Sequence, residues 1–180
     1  MRYTIITPTI QRRSLIDTCA SVNTQSCGDW EHIVMIDCVN LDNELVNSIQ
    51  HPQRQIRQCD IEHKNGGNTC RYNAWELAKG EYIYYLDDDN FLADDGVLED
   101  MKIVTDNWAL FPIWRLRQKF FHDPPIMCSV DTANLLVKRD IGRWLNVPNY
   151  ESDGMLVEEL KKHTYQSFRD FRPITVIKTR

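Results

Sequence analysis

Glu81-Tyr82-Ile83-Tyr84-Tyr85-Leu86-Asp87-Asp88-Asp89-Asn90-Phe91-Leu92 decides how the rest of the chain is read. Its first half is rich in aromatic and β-branched side chains and reads as a buried strand. Three carboxylates and an amide follow at once, and an apolar pair closes the run. A solvated acidic loop is not normally held between two apolar anchors. Adjacent aspartates repel one another, and a divalent cation with oxygen ligands relieves that repulsion. In a parallel sheet the carboxyl end of such a strand is where an open α/β fold keeps its ligand. The plainer alternative is an acidic turn or helix N-cap, positions that Asp and Asn both suit.

Working outward, the segments before this stretch alternate strand and helix. Tyr3–Thr7 is a strand stopped by Pro8, and Ser14 precedes a helix over about Leu15–Gln25. Glu31–Ile36 is a second strand with Asp37 at its end. A short helix follows from Asp42 to Ile49, and Gln55–Ile61 is a more polar strand suited to a sheet edge. Asn65-Gly66-Gly67-Asn68 forms a loop ahead of a helix from Thr69 to Lys79, which Gly80 ends. Strands separated by helices imply a parallel sheet with right-handed crossovers. After the aspartates, a helix is expected from Asp94 or Asp95 to about Val104, and strands over Trp108–Leu116, Ile126–Val137 and Ile174–Ile177. Glu151-Ser152-Asp153-Gly154 opens a helix to about His163.

Composition narrows the function classes. The chain has 180 residues, 42% hydrophobic and 26% charged, which suits one soluble globular domain. A net charge of −5 gives no electrostatic reason to expect nucleic acid as partner. No apolar run reaches the length of a membrane span. The six cysteines, Cys19, Cys27, Cys38, Cys59, Cys70 and Cys128, form no C-x-x-C pair and read as reduced thiols, which places the protein in the cytoplasm.

In a parallel sheet Pro8-Thr9, Asp37, the segment Asn65–Asn73 and the Asp triplet all arrive at one end. Asp37 there can accept a ring N–H of a base, and Arg71 near a helix N-terminus can hold a diphosphate. Each residue has a plainer role open to it: Asp37 as a turn residue, Arg71 as a solvated charge, Asp153 as an N-cap.

These motifs resemble family 2 glycosyltransferases of the GT-A fold. Tyr3–Arg12 (YTIITPTIQR) is similar to that family's opening strand and P-T-x-x-R turn, and Ile33–Asp37 (IVMID) to its second strand with a base-binding aspartate. Asn65–Asn73 (NGGNTCRYN) resembles its glycine-containing loop, and Tyr85–Asn90 (YLDDDN) its D-x-D region. The likeness resumes at Ser129–Leu160, where Ser152-Asp153-Gly154-Met155-Leu156 resembles the E-D-x-x-L helix start. The fold implied is α/β, a Rossmann-like, mostly parallel sheet flanked by helices. It forms a single domain over 1–180, with 1–92 binding the nucleotide-sugar and 93–180 the acceptor.

The activity implied is a metal-dependent, inverting transfer of a sugar from a nucleotide-sugar, a UDP-sugar on this reading, to an acceptor hydroxyl. Pro8, Thr9, Arg12, Asp37, Asn65, Gly66, Arg71, Asp87 and Asp88 are the nucleotide-binding candidates. Asp89 is the metal ligand for Mn²⁺ or Mg²⁺, and Asp153 the general base. Family members carry Glu before the catalytic aspartate. Here Ser152 stands in its place, with Glu151 one position earlier, so Glu151 is the rival base. His163 is a candidate late metal ligand or a plain surface residue. Trp108–His122 is a candidate acceptor wall or core. A non-catalytic nucleotide-binding module and a nucleotidyltransferase are the competing functions. The absence of glycine from Pro8–Arg12 argues against the second. The sugar, the acceptor (glycan, glycolipid or other hydroxyl), homo-oligomer formation and the presence of a further acceptor-binding or membrane-association segment stay open.

Overall fold

Tyr3–Thr9 forms β1, and all seven of its residues are buried, so it lies inside a sheet covered on both faces. The structure is a computed structural model that describes residues 1–126, 129–148 and 151–177. Leu15–Asn23 is α1, with Leu15, Cys19 and Val22 facing inward. Trp30–Ile36 is β2, again wholly buried. Asn43–Ser48 is α2, whose first turn is capped by the Asp42 carboxylate accepting from the Leu45 N–H at 3.0 Å. Arg54–Gln58 is β3, Asn68–Leu77 is α3 and Tyr82–Tyr85 is β4. These elements agree with the sequence reading to within a few residues.

Past the aspartates the chain departs from that reading in instructive ways. Asn90–Leu92 is a three-residue strand, β5, to which the sequence reading assigned no element. The following helix is brief: α4 spans Val97–Asp100 and runs into a 3₁₀ turn at Met101–Ile103. Its start is delayed because the Asp94 carboxylate accepts from the Gly96 N–H and pairs with Arg172. The strand expected over Trp108–Leu116 is two strands, β6 (Trp108–Leu110) and β7 (Ile113–Arg115), in different sheets. Phe111-Pro112 makes the change of sheet, since Pro112 has no N–H for a ladder. β8 (Gln118–Phe120) returns antiparallel to β7 through Leu116 and Arg117, both at positive φ (52° and 61°). That pair of dihedrals is the type I′ hairpin turn, normally made by Asn-Gly.

The expected strand over Ile126–Val137 contracts to β9, Leu135–Lys138, preceded by a 3₁₀ turn at Thr132–Asn134. Met127 and Cys128 lie outside the described residues. Ser152–Leu160 is α5, Tyr165–Ser167 is β10 and Thr175–Ile177 is β11.

The main sheet has seven strands in the order β10-β6-β9-β4-β1-β2-β3, with β3 at an edge as expected. β1, β2, β3 and β4 are mutually parallel, while β9 runs antiparallel to both β4 and β6. A small second sheet, β5-β11-β7-β8, adjoins it. Apolar side chains fill both faces of the main sheet. Tyr3, Ile5, Tyr84 and Phe111 pack on one side, and Ile6, Ile33, Tyr85 and Trp108 on the other. The parallel strands therefore end together, and their ends carry Thr9, Asp37 and Asp87.

Candidate active site

A cavity of about 600 Å³ opens over these strand ends. It is lined by Pro8, Thr9, Arg12, Asp37, Gly66, Arg71, Asp87, Asp88, Asp89 and Asp153, so the topology gathers nearly all the residues expected from the sequence. Seven acidic residues line it against three basic ones.

The three aspartates are not equivalent. Asp88 is buried, and its two oxygens accept from the Thr9 hydroxyl at 2.7 Å and from Arg12 Nη1 at 2.6 Å. Burial raises its pKa, opposed by those two donors. This carboxylate fastens the acidic loop to the turn after β1. Asp87 and Asp89 are the more open members, at 33% and 21% side-chain exposure. Asp89 Oδ2 lies 3.5 Å from Arg12 Nη1, and Asp87 pairs closely with Arg71.

Arg71 forms part of the cavity wall. Its side chain is 6% exposed, lies over the Trp144 ring at 4.8 Å and donates to the Gly66 carbonyl at 2.8 Å. Gly67 makes this possible. It caps α3 at φ 80°, and a Cβ there would stand 2.7 Å from Pro8 Cβ, closer than side chains tolerate. Behind this layer the buried Asn68 side-chain oxygen, Oδ1, accepts from Trp144 Nε1 and Ser152 Oγ, tying α3 to the start of α5.

Asp153 stands in the first turn of α5, half-buried and facing the cavity, whereas Glu151 is exposed and is not among the lining residues. Burial raises the Asp153 pKa, against the opposing Gly154 N–H and Arg71. The sequence reading passed over Asp131, which lines the same wall. Its Oδ1 accepts from the Ala133 N–H at 3.0 Å as an N-cap, and burial, with the charge on Asp87 second, pushes its pKa up to about 6. Read alone it looks like a cap before an apolar strand. Only the antiparallel insertion of β9 beside β4 brings it to the acidic loop. Trp144 was likewise not singled out, because nothing local marks it as the partner of Arg71.

Asp37 stands at the rim, and the remaining expected residues fall outside the cavity. Asp37 is buried at the cavity edge, where its oxygens accept from the His63 N–H at 2.8 Å and the Lys64 N–H at 3.1 Å. Asn65 turns to Thr69 at 2.9 Å, holding the loop before α3, and does not line the cavity. His163 is exposed beyond α5. Of the proposed acceptor wall, Trp108 and Phe111 are core, while Trp114 is 39% exposed on the β7–β8 hairpin.

The donor set fits a hard divalent cation. Carboxylate oxygens on a short loop suit Mg²⁺ or Mn²⁺. The excess of acidic side chains would repel a diphosphate unless a cation intervened. Among the described residues, Arg71 Nε is a buried donor with no hydrogen-bond partner, an opening for an anionic ligand.

Comparison with known proteins places this geometry. A sequence model of glycosyl transferase family 2 matches residues 4–113. TuaG of Bacillus subtilis (strain 168), which carries the name of a teichuronic acid biosynthesis glycosyltransferase, is 28% identical over 109 residues, 59% of this chain and 43% of TuaG. The solved structure of S. aureus TarS 1–349 in complex with UDP-GlcNAc superposes with a TM-score of 0.80 at 13% identity, covering 100% of this chain and 59% of that one. The mannosyltransferase PcManGT from Pyrobaculum calidifontis, in complex with GDP-Man and Mn²⁺, gives 0.68 at 16% identity, covering 97% and 56%. This chain thus spans less than half of TuaG and under three fifths of each solved chain. The two structural matches show the GT-A fold, and the sequence match over most of β1 to β7 shows descent: the chain belongs to glycosyl transferase family 2.

Proposed function

We propose that this chain transfers a sugar from a nucleotide-sugar, UDP-linked, to an acceptor hydroxyl by direct inverting displacement with a divalent cation. The observation that carries the reading is the meeting of Asp37, the Asp87–Asp89 loop, Arg71 and Asp153 around one cavity. The solved relatives named above hold UDP-GlcNAc, or GDP-Man with Mn²⁺, on the same fold.

In this scheme Asp37 accepts the base N–H, using lone pairs its two backbone donors leave over. Asp88 sets the acidic loop, so ribose falls to Asp87 and the cation to Asp89. When bound, the cation would act as Lewis acid toward the departing diphosphate. Arg71 and Arg12 supply fixed positive charge on the same side. Asp153 removes the proton of the acceptor hydroxyl as the new bond to the anomeric carbon forms and the bond to the diphosphate breaks. Its raised pKa makes it a stronger base than an ordinary aspartate. Residues 1–92 then carry the donor end, and 93–180 supply the acceptor side through Asp131, Trp144 and Asp153. No helix among the described residues is long and apolar enough to cross a membrane. The free thiols among them suit the reducing cytoplasm, where we place the chain.

A thermal-shift series with UDP, ADP and UDP-sugars, with and without Mn²⁺, tests the reading. A ligand at a hundred times its dissociation constant adds about 2.7 kcal/mol. UDP is expected to stabilise the protein more than ADP, and more with Mn²⁺ than without. Equal stabilisation by ADP and UDP with the same metal response would contradict the base assignment.

A further inference from the structure

A second cluster of ligating side chains sits beside the carboxylate loop, and its chemistry is different. β2 and β3 pair in parallel up to Ile36 and Gln58, and the Cys59 N–H extends that ladder to the Ile36 carbonyl at 2.9 Å. Asp37 and Cys59 are therefore neighbours at the sheet end. The loop after Cys59 folds back, because the Asp37 carboxylate accepts the N–H groups of His63 and Lys64. This brings the His63 ring to the same place. One ligand atom from each of Asp37, Cys59 and His63 lies within 4.8 Å of the others. From α3, Cys70 Sγ stands 3.6 Å from Cys59 Sγ.

We propose that Asp37, Cys59 and His63 form a binding site for a thiophilic divalent cation, typified by Zn²⁺, with Cys70 as fourth ligand. Carboxylate, thiolate, imidazole and thiolate are the ligand types that Zn²⁺ takes tetrahedrally. Bonds of about 2.0–2.3 Å put neighbouring ligand atoms about 3.3–3.8 Å apart, so Asp37, Cys59 and His63 close on an ion with movements of about 1 Å, and Cys70 swings in from its place beside Cys59. The two sulfurs already stand at such a separation. The backbone donors on Asp37 fix its orientation as outer-sphere partners do in metal sites. The oxygen-only set at Asp87–Asp89 selects Mg²⁺ or Mn²⁺, whereas sulfur and imidazole select Zn²⁺, so the two sites sort ions by softness. Because Asp37 also faces the cavity, occupation competes with the nucleotide base. That competition rests on the nucleotide reading above, while the metal site itself does not.

Chelator-stripped, reduced protein titrated with Co²⁺ in excess Mg²⁺ tests the site. A single Co²⁺ per chain is expected, with a thiolate-to-cobalt charge-transfer band, strong tetrahedral visible bands, and displacement by Zn²⁺. Cys59→Ser should abolish the charge-transfer band or shrink it to the Cys70 contribution. His63→Ala should weaken Zn²⁺ at least tenfold, within the range that ligand-shell changes produce. Circular dichroism checks that both variants fold. No band in the wild type, or equal Zn²⁺ retention in wild type and both folded variants, overturns the site. Loss of two titratable thiols without reductant, with no cobalt band after reduction, also overturns it and assigns Cys59 and Cys70 to a disulfide. Saturating UDP should raise the apparent Zn²⁺ dissociation constant. Bound UDP that leaves it unchanged refutes the competition. A cobalt signal in protein that binds no UDP supports the site and contradicts the nucleotide reading instead.

Discussion

Asp131→Asn should make this protein more stable, and the size of the gain follows from the site. The ordinary value of 3.8 for this carboxyl rises to about 6, mainly through burial and then through the charge on Asp87. At 1.36 kcal/mol for each tenfold change in proton affinity, that gap corresponds to about 3 kcal/mol. The folded state binds this proton more tightly than the unfolded state. Stability is therefore lost as pH rises from 3.8 through 6, and the whole cost is present at pH 7.5. Asparagine removes the charge but keeps the Oδ1 that accepts from the Ala133 N–H, and it leaves the Asp131 N–H bonded to Asn134. For a domain of this size the gain amounts to a rise in Tm of about 6–12 °C. The assay is urea unfolding of both proteins in chelator at pH 7.5 and pH 5, where the advantage should shrink to about half. A variant less stable than the wild type at pH 7.5, or a gain that does not change with pH, would refute the argument that an unfavourable buried charge sits here.

Four further outcomes are expected. Asp153→Asn should leave folding and donor affinity nearly intact while transfer falls about 10²–10⁴-fold, as for loss of a positioned base, with Glu151→Gln near normal in the same radiolabel assay. Since burial raises the Asp153 pKa, the acid limb of wild-type kcat/KM should lie above the usual aspartate range; a limb at the ordinary value would count against this base. Asp89→Ala should abolish metal-dependent binding of UDP in calorimetry with a smaller effect on uridine, and equal losses would point to collapse of the loop. Gly67→Ala should cost about 1–3 kcal/mol in urea unfolding, because it combines positive φ with contact on Pro8, and a neutral result would show that the α3 entry can relax.

The alternating strands and helices up to Asp89 were legible because β1, β2 and β4 are rich in apolar and β-branched residues and because turn residues such as Pro8, Gly28, Pro52 and Gly80 separate them from the helices. What followed was not, and the reasons are local. The β7–β8 turn uses Leu116-Arg117 at positive φ, with no Gly or Asn to announce it. The apolar run Trp108–Ile113 gives no sign that Phe111-Pro112 passes from one sheet to another. Within the site, Asp37, Arg71 and the aspartates could be named because they end strands or begin a helix. Asp131 and Trp144 depend on how β9 and the segment before α5 lie against β4 and α3, and no periodicity encodes that. Even among the aspartates, sequence could not distinguish the buried anchor Asp88 from its more open neighbours.

The placement of β11 bears on when the protein can begin to work. β5 leaves the acidic loop directly at Asn90, and the strand it pairs with is β11, at Thr175–Ile177. Ile174 adds bonds to Ala93 and Pro112, and Thr175 contacts the Tyr84 hydroxyl beneath the loop. During synthesis the aspartates leave the ribosome long before the strand that braces their far side. A nascent chain lacking β11 would leave β5 without its strand partner, held on the α1 side by Thr18 and Ser21. Competence to bind a ligand is thus deferred until Ile174–Ile177 are in place, and a chain cut before Ile174 should keep every strand of the main sheet yet show an unfinished site.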